Sequence, residues 1–242
     1  NMSVFLAFLF LLAANSIAIL SGDETLITLV RILSVPVLSL CFLLKYRIKK
    51  ISLIFFLIFI FLGENAKMFV RDLSVVCTES IFYCFAFIQL MAFILPKIKF
   101  LKLDNIIKGY LLLLFCVGLF FLNVLFDMIG FDFFNKAEIL LFSAKNLIII
   151  VLGFLVYGYY FQVQNKQSIF LLIAVVCISF TCIIDYLILS SSYHWSFPIT
   201  NRLIYVSGLY FIFRYIIGES FSKNHKSLEK INRALSSDNA LV

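Results

Sequence analysis

The sequence is poor both in residues that break helices and in residues that carry charge. Its 242 residues include only 9 glycines and 3 prolines, and Asp, Glu, Lys and Arg together make up 14% of the chain. Hydrophobic residues make up 63%, against roughly 45–50% in soluble domains. The long runs of Phe, Leu and Ile lack the alternation of a membrane β-barrel. The composition therefore predicts an all-α, polytopic membrane protein.

Residues that hold metals or perform nucleophilic catalysis are also scarce. The two histidines, His194 and His225, lie outside the apolar segments, so a histidine-bound zinc within the membrane is not expected. The G-x-S-x-G and H-E-x-x-H motifs and glycine-rich phosphate loops are missing. The six cysteines lie in apolar segments without metal-ligand spacing, which predicts small buried hydrophobic residues. We therefore expect no metal and no cofactor, and carboxylates remain as the candidates for catalysis.

The charged residues that are present indicate a membrane topology. Lys and Arg concentrate in alternate connections and in the C-terminal tail, whereas the opposite connections hold only Arg71 and Lys136. The positive-inside rule then places both termini in the cytoplasm, so the net charge of +7 does not indicate a nucleic-acid partner. A bacterial inner membrane is the expected location. Eight segments reach the length of a membrane span: 3–20, 26–44, 51–70, 75–95, 107–127, 137–161, 169–189 and 199–218.

The short connections predict a single transmembrane helical domain over residues 1–218, followed by a cytoplasmic basic tail over residues 219–242. In the tail, Leu228, Ile231 and Leu235 recur at helical spacing between basic residues. This pattern fits a helix that lies on anionic lipid, and it fits a solvated helix equally well.

Ionisable residues inside the predicted spans fall at similar depths. Counted at 1.5 Å per residue, they lie about 5 to 12 Å from the outer ends of six different spans. Each charge within a span costs about 2.5–3.5 kcal/mol, so we expect a shared polar cavity that opens to the outer leaflet. The alternative is a set of salt bridges that only fixes helix packing, such as Glu64 with Lys67 one turn away. The residues are Arg31, Glu64, Lys67, Glu79, Lys145, Asp185 and Arg202.

Glu64 and Asp185 are the strongest candidates for acid–base chemistry. A carboxyl group kept protonated in an apolar site can act as a general acid, while a second carboxylate beside a cation stays ionised and orients water. We predict that these two residues form such a pair, although their spacing in sequence cannot show whether they meet.

Five short motifs follow one another over nearly the whole chain: SVPVLSLCFLL with Pro36, FLGENAKMF with Gly63, FAFIQLMAFIL with Gln89, ISFTCIIDYLILSSSYHWSF with Asp185, and RLIYVSGLYFIFRYI with Tyr205. In order and spacing they resemble the motifs of the YhhN family of membrane proteins. At four positions the family residue is replaced: Val35 stands for Lys, Glu64 for Asp, Ile184 for Ser, and Leu209 for Gln or His.

The resemblance implies an eight-helix bundle and lysoplasmalogenase activity, which is hydrolysis of the vinyl-ether bond of a lysoplasmalogen. Its ligand would be a membrane lysophospholipid, and Glu64 and Asp185 would be catalytic. The four replacements favour a second hypothesis, a catalytically degenerate bundle that serves as a structural or lipid-binding subunit of a larger envelope complex. A small transporter is a third hypothesis. The residues expected to contact the substrate are Arg31, Lys67, Glu79, Gln89, Lys145, Arg202 and Tyr205.

Overall fold

The computed structural model describes residues 2–46, 51–66, 74–98, 104–129, 136–189 and 196–238. These ranges contain eight long α-helices and no β-strand, which confirms the predicted all-α class. A short 3-10 turn, Leu95–Lys97, follows the fourth helix. The helices are α1 (Met2–Ser21), α2 (Glu24–Tyr46), α3 (Ile51–Glu64), α4 (Ser74–Ile94), α5 (Asn105–Ile129), α6 (Lys136–Val163), α7 (Lys166–Leu189) and α8 (Ser196–Asp238).

Within the described residues, five helices are long and apolar enough to cross a membrane, namely α1, α4, α5, α6 and α7. Helix α3 is equally apolar but has only 14 residues. The chain therefore has the character of an α-helical membrane protein. The count of eight spans, the cytoplasmic termini and the bacterial inner membrane stay predictions.

Seven of the helices form a closed ring. Helices α1 to α4 pack in chain order, α4 packs on α6, and α6, α7 and α8 follow before α8 returns to α1. Helix α5 lies at the periphery, where its main contacts are with α6. Large aromatic side chains fill the interior, including Phe42 and Phe213, whose ring centroids are 4.7 Å apart. Because lipid is as apolar as these side chains, close packing and polar contacts hold the ring together.

The turn between α1 and α2 has a cap on each side. Gly22 adopts the left-handed conformation (φ +68°) that ends many helices. Asp23 then caps α2, because its Oδ1 accepts hydrogen bonds from the backbone N (2.9 Å) and the Oγ1 (2.6 Å) of Thr25. These bonds to the ionised carboxylate lower the pKa of Asp23 below its usual value. The turn joins α1 and α2 as antiparallel neighbours.

Two helix ends differ from the sequence-based expectation. Helix α3 ends at Glu64, before the predicted end at 70, and residues 67–70 lie outside the described ranges. The Asn65 side chain donates to the carbonyl of Phe61 (2.7 Å), a bond to the backbone one turn earlier that slightly weakens a helix. Helix α8 continues past residue 218 to Asp238, so most of the predicted tail extends the last helix. At 43 residues it is about 65 Å long, longer than a bilayer core of about 30 Å.

The sequence predicts that the cysteines are buried, but not all of the described ones are. Cys116 is exposed on the peripheral helix α5, which corrects the expectation for this residue. Cys182 is buried, and Cys77, Cys84 and Cys177 are half-buried, each as a free thiol.

Candidate functional site

The polar residues of the predicted cluster meet at one end of the ring. Helices α3 and α7 end there, while α2, α4, α6 and α8 begin there, because successive helices run in opposite directions. This arrangement brings together side chains that are far apart in sequence. The main ones are Arg31, Glu64, Tyr83, Lys145, Asp185, Asn201, Arg202 and Tyr205.

Glu64 is the centre of this polar end. Its Oε2 lies 3.1 Å from Arg31 Nε of α2 and 2.6 Å from Arg202 Nη1 of α8. Its Oε1 accepts a hydrogen bond from Tyr83 Oη of α4 at 2.5 Å. Only 5% of the Glu64 side chain is exposed. A carboxylate that accepts bonds from two guanidinium groups and a phenol is held in its ionised form, and here it ties four helices together.

Glu64 and Asp185 line the same small cavity. Its volume of about 10 Å³ is close to the minimum that one water molecule needs. Lys145, Arg202 and Tyr205 also line it. The structure thus brings the two predicted acid–base residues to one water-sized space, although their catalytic roles stay predictions.

Two buried polar atoms of this cavity have no hydrogen-bond partner within the described part of the chain. They are Oδ1 of Asn201 and Oη of Tyr205, in residues that are only 6% and 5% exposed. Buried polar atoms are nearly always satisfied by protein or ordered water. A water molecule in the cavity would satisfy both, because one atom accepts a hydrogen bond and the other can donate one.

Asp185 differs from Glu64 in its exposure. It lies near the end of α7 and is exposed at the rim of the cavity, while its Oδ1 accepts a hydrogen bond of 2.6 Å from Asn201 Nδ2. One carboxylate is therefore enclosed and held by cations, and the other is within reach of a molecule that arrives from outside.

Lys145 and Glu79 add charge to the same end. Lys145 is only 4% exposed, and its Nζ lies 5.6 Å from the centroid of the Tyr83 ring, a cation–π distance. Glu79 is half-buried and close enough to Lys145 and Asp185 to interact with both electrostatically. Glu79 is not among the described residues that line the cavity.

Two further predicted ligand residues do not join this arrangement. Gln89 lies on α4 six residues beyond Tyr83, about 9 Å along the helix axis, and is not among the described lining residues. Gln89 was predicted as a substrate contact only through the resemblance to the YhhN family, in which a polar residue lies late in the fourth helix. Lys67, and with it the proposed Glu64–Lys67 pair, lies outside the described residues.

Sequence reasoning missed Tyr83 and Asn201. Tyr83 was overlooked because an aromatic residue in an apolar helix usually belongs to the core. Asn201 had a usable signal, since it immediately precedes Arg202 in a span that is otherwise apolar over several turns. A polar pair at that position indicates that this side of the helix points into the bundle and not toward lipid.

The carboxylates of this site are not arranged as metal ligands within the described part of the chain. Among the described residues, no group of three or more His, Cys, Asp and Glu side chains is arranged to hold a metal ion. Both oxygens of Glu64 already accept hydrogen bonds. The arrangement can instead hold a water molecule between an enclosed carboxylate and an accessible one.

Comparisons with models of known protein families, with curated proteins and with solved structures found no match to this chain. Membership of the YhhN family stays a prediction that rests on the five short motifs.

Proposed function

We propose that the protein is a membrane-embedded lysolipid hydrolase that cleaves the vinyl-ether bond of a lysoplasmalogen. The observation that carries the proposal is the shared cavity: Glu64 and Asp185 line one water-sized space whose walls include two unpartnered polar atoms. General acid–base hydrolysis needs a carboxyl group within reach, directly or through one water molecule, of the proton that it transfers, and Asp185 lines the space that such a water would occupy. The resemblance to the YhhN family supports the choice of substrate.

In this mechanism Asp185 transfers the proton. A lipid bound over the rim shields the Asp185 carboxyl group from water, which favours its protonated form. That proton goes to the vinyl carbon farther from the ether oxygen, which leaves an oxocarbenium ion. The cavity water, held by Asn201 and Tyr205, adds to the carbon bonded to that oxygen and returns its proton to Asp185. In the resulting hemiacetal the bond between the former vinyl carbon and the glycerol oxygen breaks while the hydroxyl proton passes to that oxygen, which releases a fatty aldehyde and a glycerophospho-headgroup.

Glu64 takes the part of the ionised carboxylate in the predicted pair, because a carboxylate beside cations stays ionised. With two arginines and a tyrosine bound, it does not donate a proton; it holds Arg31 and Arg202 in place beside the cavity. The Arg31 side chain is 22% exposed, so its guanidinium can also reach a lipid phosphate, whose geometry matches its paired N–H donors. Lys145 adds a third cation within the same end.

One observation favours a second candidate, a catalytically inactive bundle of the same fold in a larger envelope complex. Glu64 joins α2, α3, α4 and α8 with three hydrogen bonds, which is what a purely structural ion-pair centre would do. In that case Asp185 at the rim would have no chemical task, and its substitution would change nothing that can be measured as turnover.

The Asp185→Asn substitution separates these two functions. Asparagine keeps the shape of the side chain and an oxygen that can accept the Asn201 hydrogen bond, but it cannot transfer a proton. We expect turnover of alkenyl lysophosphatidylcholine, measured as aldehyde release in nanodiscs, to fall by about 10²–10⁴-fold. The melting temperature should stay near that of the wild type.

Asp127→Asn is the matched control, because Asp127 is an exposed carboxylate near the end of α5 and is not among the lining residues. It should leave turnover unchanged. Equal turnover in Asp185→Asn and wild type would contradict the assignment of Asp185. A folded wild-type protein that releases no aldehyde would support the inactive bundle.

A further inference from the structure

A lateral groove runs along the outside of the ring, between the peripheral helix α5 and helices α6 and α7. Its volume is about 200 Å³, and its lining is almost entirely apolar, including Leu114, Phe115, Ile149 and Phe154. The helices that form it are all apolar enough to span a membrane. In a membrane, this groove therefore faces the hydrocarbon chains of the lipids.

The groove has the length of one lipid chain. On α6 its lining extends from Asn146 to Tyr157, eleven residues or about 16 Å along the helix. A bilayer core is about 30 Å thick, so one leaflet accounts for about 15 Å. A single acyl chain would fill the groove from end to end.

Two glycines shape the groove. Gly118 lets α5 approach α6, because a Cβ atom there would lie 3.1 Å from Ile150. Gly153 has a different role, since a Cβ atom at that position would meet nothing within 4 Å and would project into open space. Position 153 lies about 10 Å from Asn146 along α6, more than halfway down the groove.

The groove and the polar cavity share a wall that is one helix thick. At three places along α6 and α7, one residue lines the cavity and the next lines the groove: Lys145 and Asn146, Ile178 and Ser179, Cys182 and Ile183. The groove thus begins at the depth of the cavity. Ile183 is two residues, or about 3 Å along the helix, from Asp185 at the exposed rim.

We propose that the groove between α5, α6 and α7 binds the hydrocarbon chain of one lysolipid and so sets the chain length that the protein accepts. This inference rests on the proposed function, which identifies the bound molecule as a lysoplasmalogen and places its headgroup end near Asp185. In an alkenyl lysolipid the vinyl ether is at the start of the chain. A chain whose first carbons lie beside Ile183 therefore presents that bond to Asp185.

Gly153→Leu tests the proposal, because the leucine side chain would block the groove about 10 Å from its end at Asn146. The protein in dioleoyl phosphatidylcholine nanodiscs is photolabelled with a lysophosphatidylcholine that carries a diazirine at the end of a palmitoyl chain. Unlabelled palmitoyl and octanoyl lysophosphatidylcholine compete. We expect Gly153→Leu to weaken competition by the palmitoyl compound roughly tenfold and to leave the octanoyl compound unaffected.

Gly109→Leu is the matched control, because Gly109 lies on exposed α5 outside the groove and also has open space at its Cβ position. It should behave as the wild type. Gly153→Ala, which adds only the Cβ atom, should shift the preference in the same direction as Gly153→Leu but less, so the proposal remains testable if the leucine variant does not fold. An unchanged palmitoyl preference in both Gly153 variants would overturn the proposal.

Aldehyde release measured on the same preparations separates this inference from the proposed function. A palmitoyl preference that Gly153→Leu removes, in a protein without turnover, supports the groove and contradicts the hydrolase. Turnover that depends on Asp185 but has the same chain-length profile in wild type and Gly153→Leu supports the hydrolase and overturns the groove.

Discussion

At the scale of single residues, the polar end is defined by how completely Glu64 is satisfied. Its two oxygens accept bonds from three donors on three other helices, and its side chain is almost fully enclosed. Removing one member of such a set leaves buried charges without compensation, which is costly even where the intact set adds little net stability. Glu64 is therefore indispensable to the structure whether or not the protein is an enzyme.

We expect Glu64→Gln to lower the free energy of unfolding by about 3 kcal/mol, because two arginines then share a neutral amide. This change is measured by denaturing the protein in mild detergent while its helical circular dichroism signal is monitored. Glu24→Gln is the control, since Glu24 is exposed in the first turn of α2, and its effect should stay within about 0.5 kcal/mol. A Glu64→Gln protein as stable as the wild type would show that the ion pairs contribute nothing to folding.

Sequence predicted which residues share this end but not how they pair. The depth count worked because each predicted span crosses the same apolar slab, so distance from a span end converts to depth. Pairing depends on lateral order and helix rotation, which one sequence does not contain. A Glu64–Lys67 pair was only the alternative prediction, and Lys67 lies outside the described residues. The described partners of Glu64, Arg31 and Arg202, are 33 and 138 positions away.

At the scale of helices, most elements follow from apolar length, and their ends follow from local polar contacts. The predicted eight segments each match one described helix within a few residues at most ends. The two larger differences are at the ends of α3 and α8. At the end of α3 the Asn65 side chain donates to the Phe61 carbonyl (2.7 Å). At the predicted end of α8 the Gly218 carbonyl accepts a bond from Gln167 Nε2 (2.7 Å), and the helix continues.

The α1–α2 turn provides a test at this scale. Gly22→Ala should lower the free energy of unfolding by about 1 kcal/mol, because alanine resists the left-handed conformation while its Cβ atom would contact nothing within 4 Å. Gly109→Ala, at a helical glycine with equal space, should instead stabilise the protein by up to about 1 kcal/mol. Thermal melting of the two variants measures both changes, and a shift of the same sign in both would contradict this account.

At the scale of the whole molecule, the ring has a polar cluster at each end and an apolar middle. At the end opposite Glu64, Lys97 Nζ binds Glu219 Oε2 (2.5 Å) and Tyr215 Oη (2.8 Å). Arg202 and Glu219 are seventeen residues apart on α8, or about 25 Å. This separation is somewhat less than the thickness of a bilayer core of about 30 Å, so each cluster is expected to lie a short distance inside one boundary of the membrane-embedded part.

The side of the membrane on which each cluster lies is a prediction from the distribution of charge, and it has a direct test. The positive-inside rule places the Lys97 end, where basic connections gather, in the cytoplasm and the Glu64 end outside. In a variant without the native cysteines, a single cysteine at Lys136, exposed at the start of α6, should react with a membrane-impermeant maleimide added to intact cells. A cysteine at Asp104, exposed just before α5, should react only after the cells are opened. The reverse pattern would invert the topology but would leave the cavity, the groove and their shared wall unchanged, because these depend on helix packing and not on orientation.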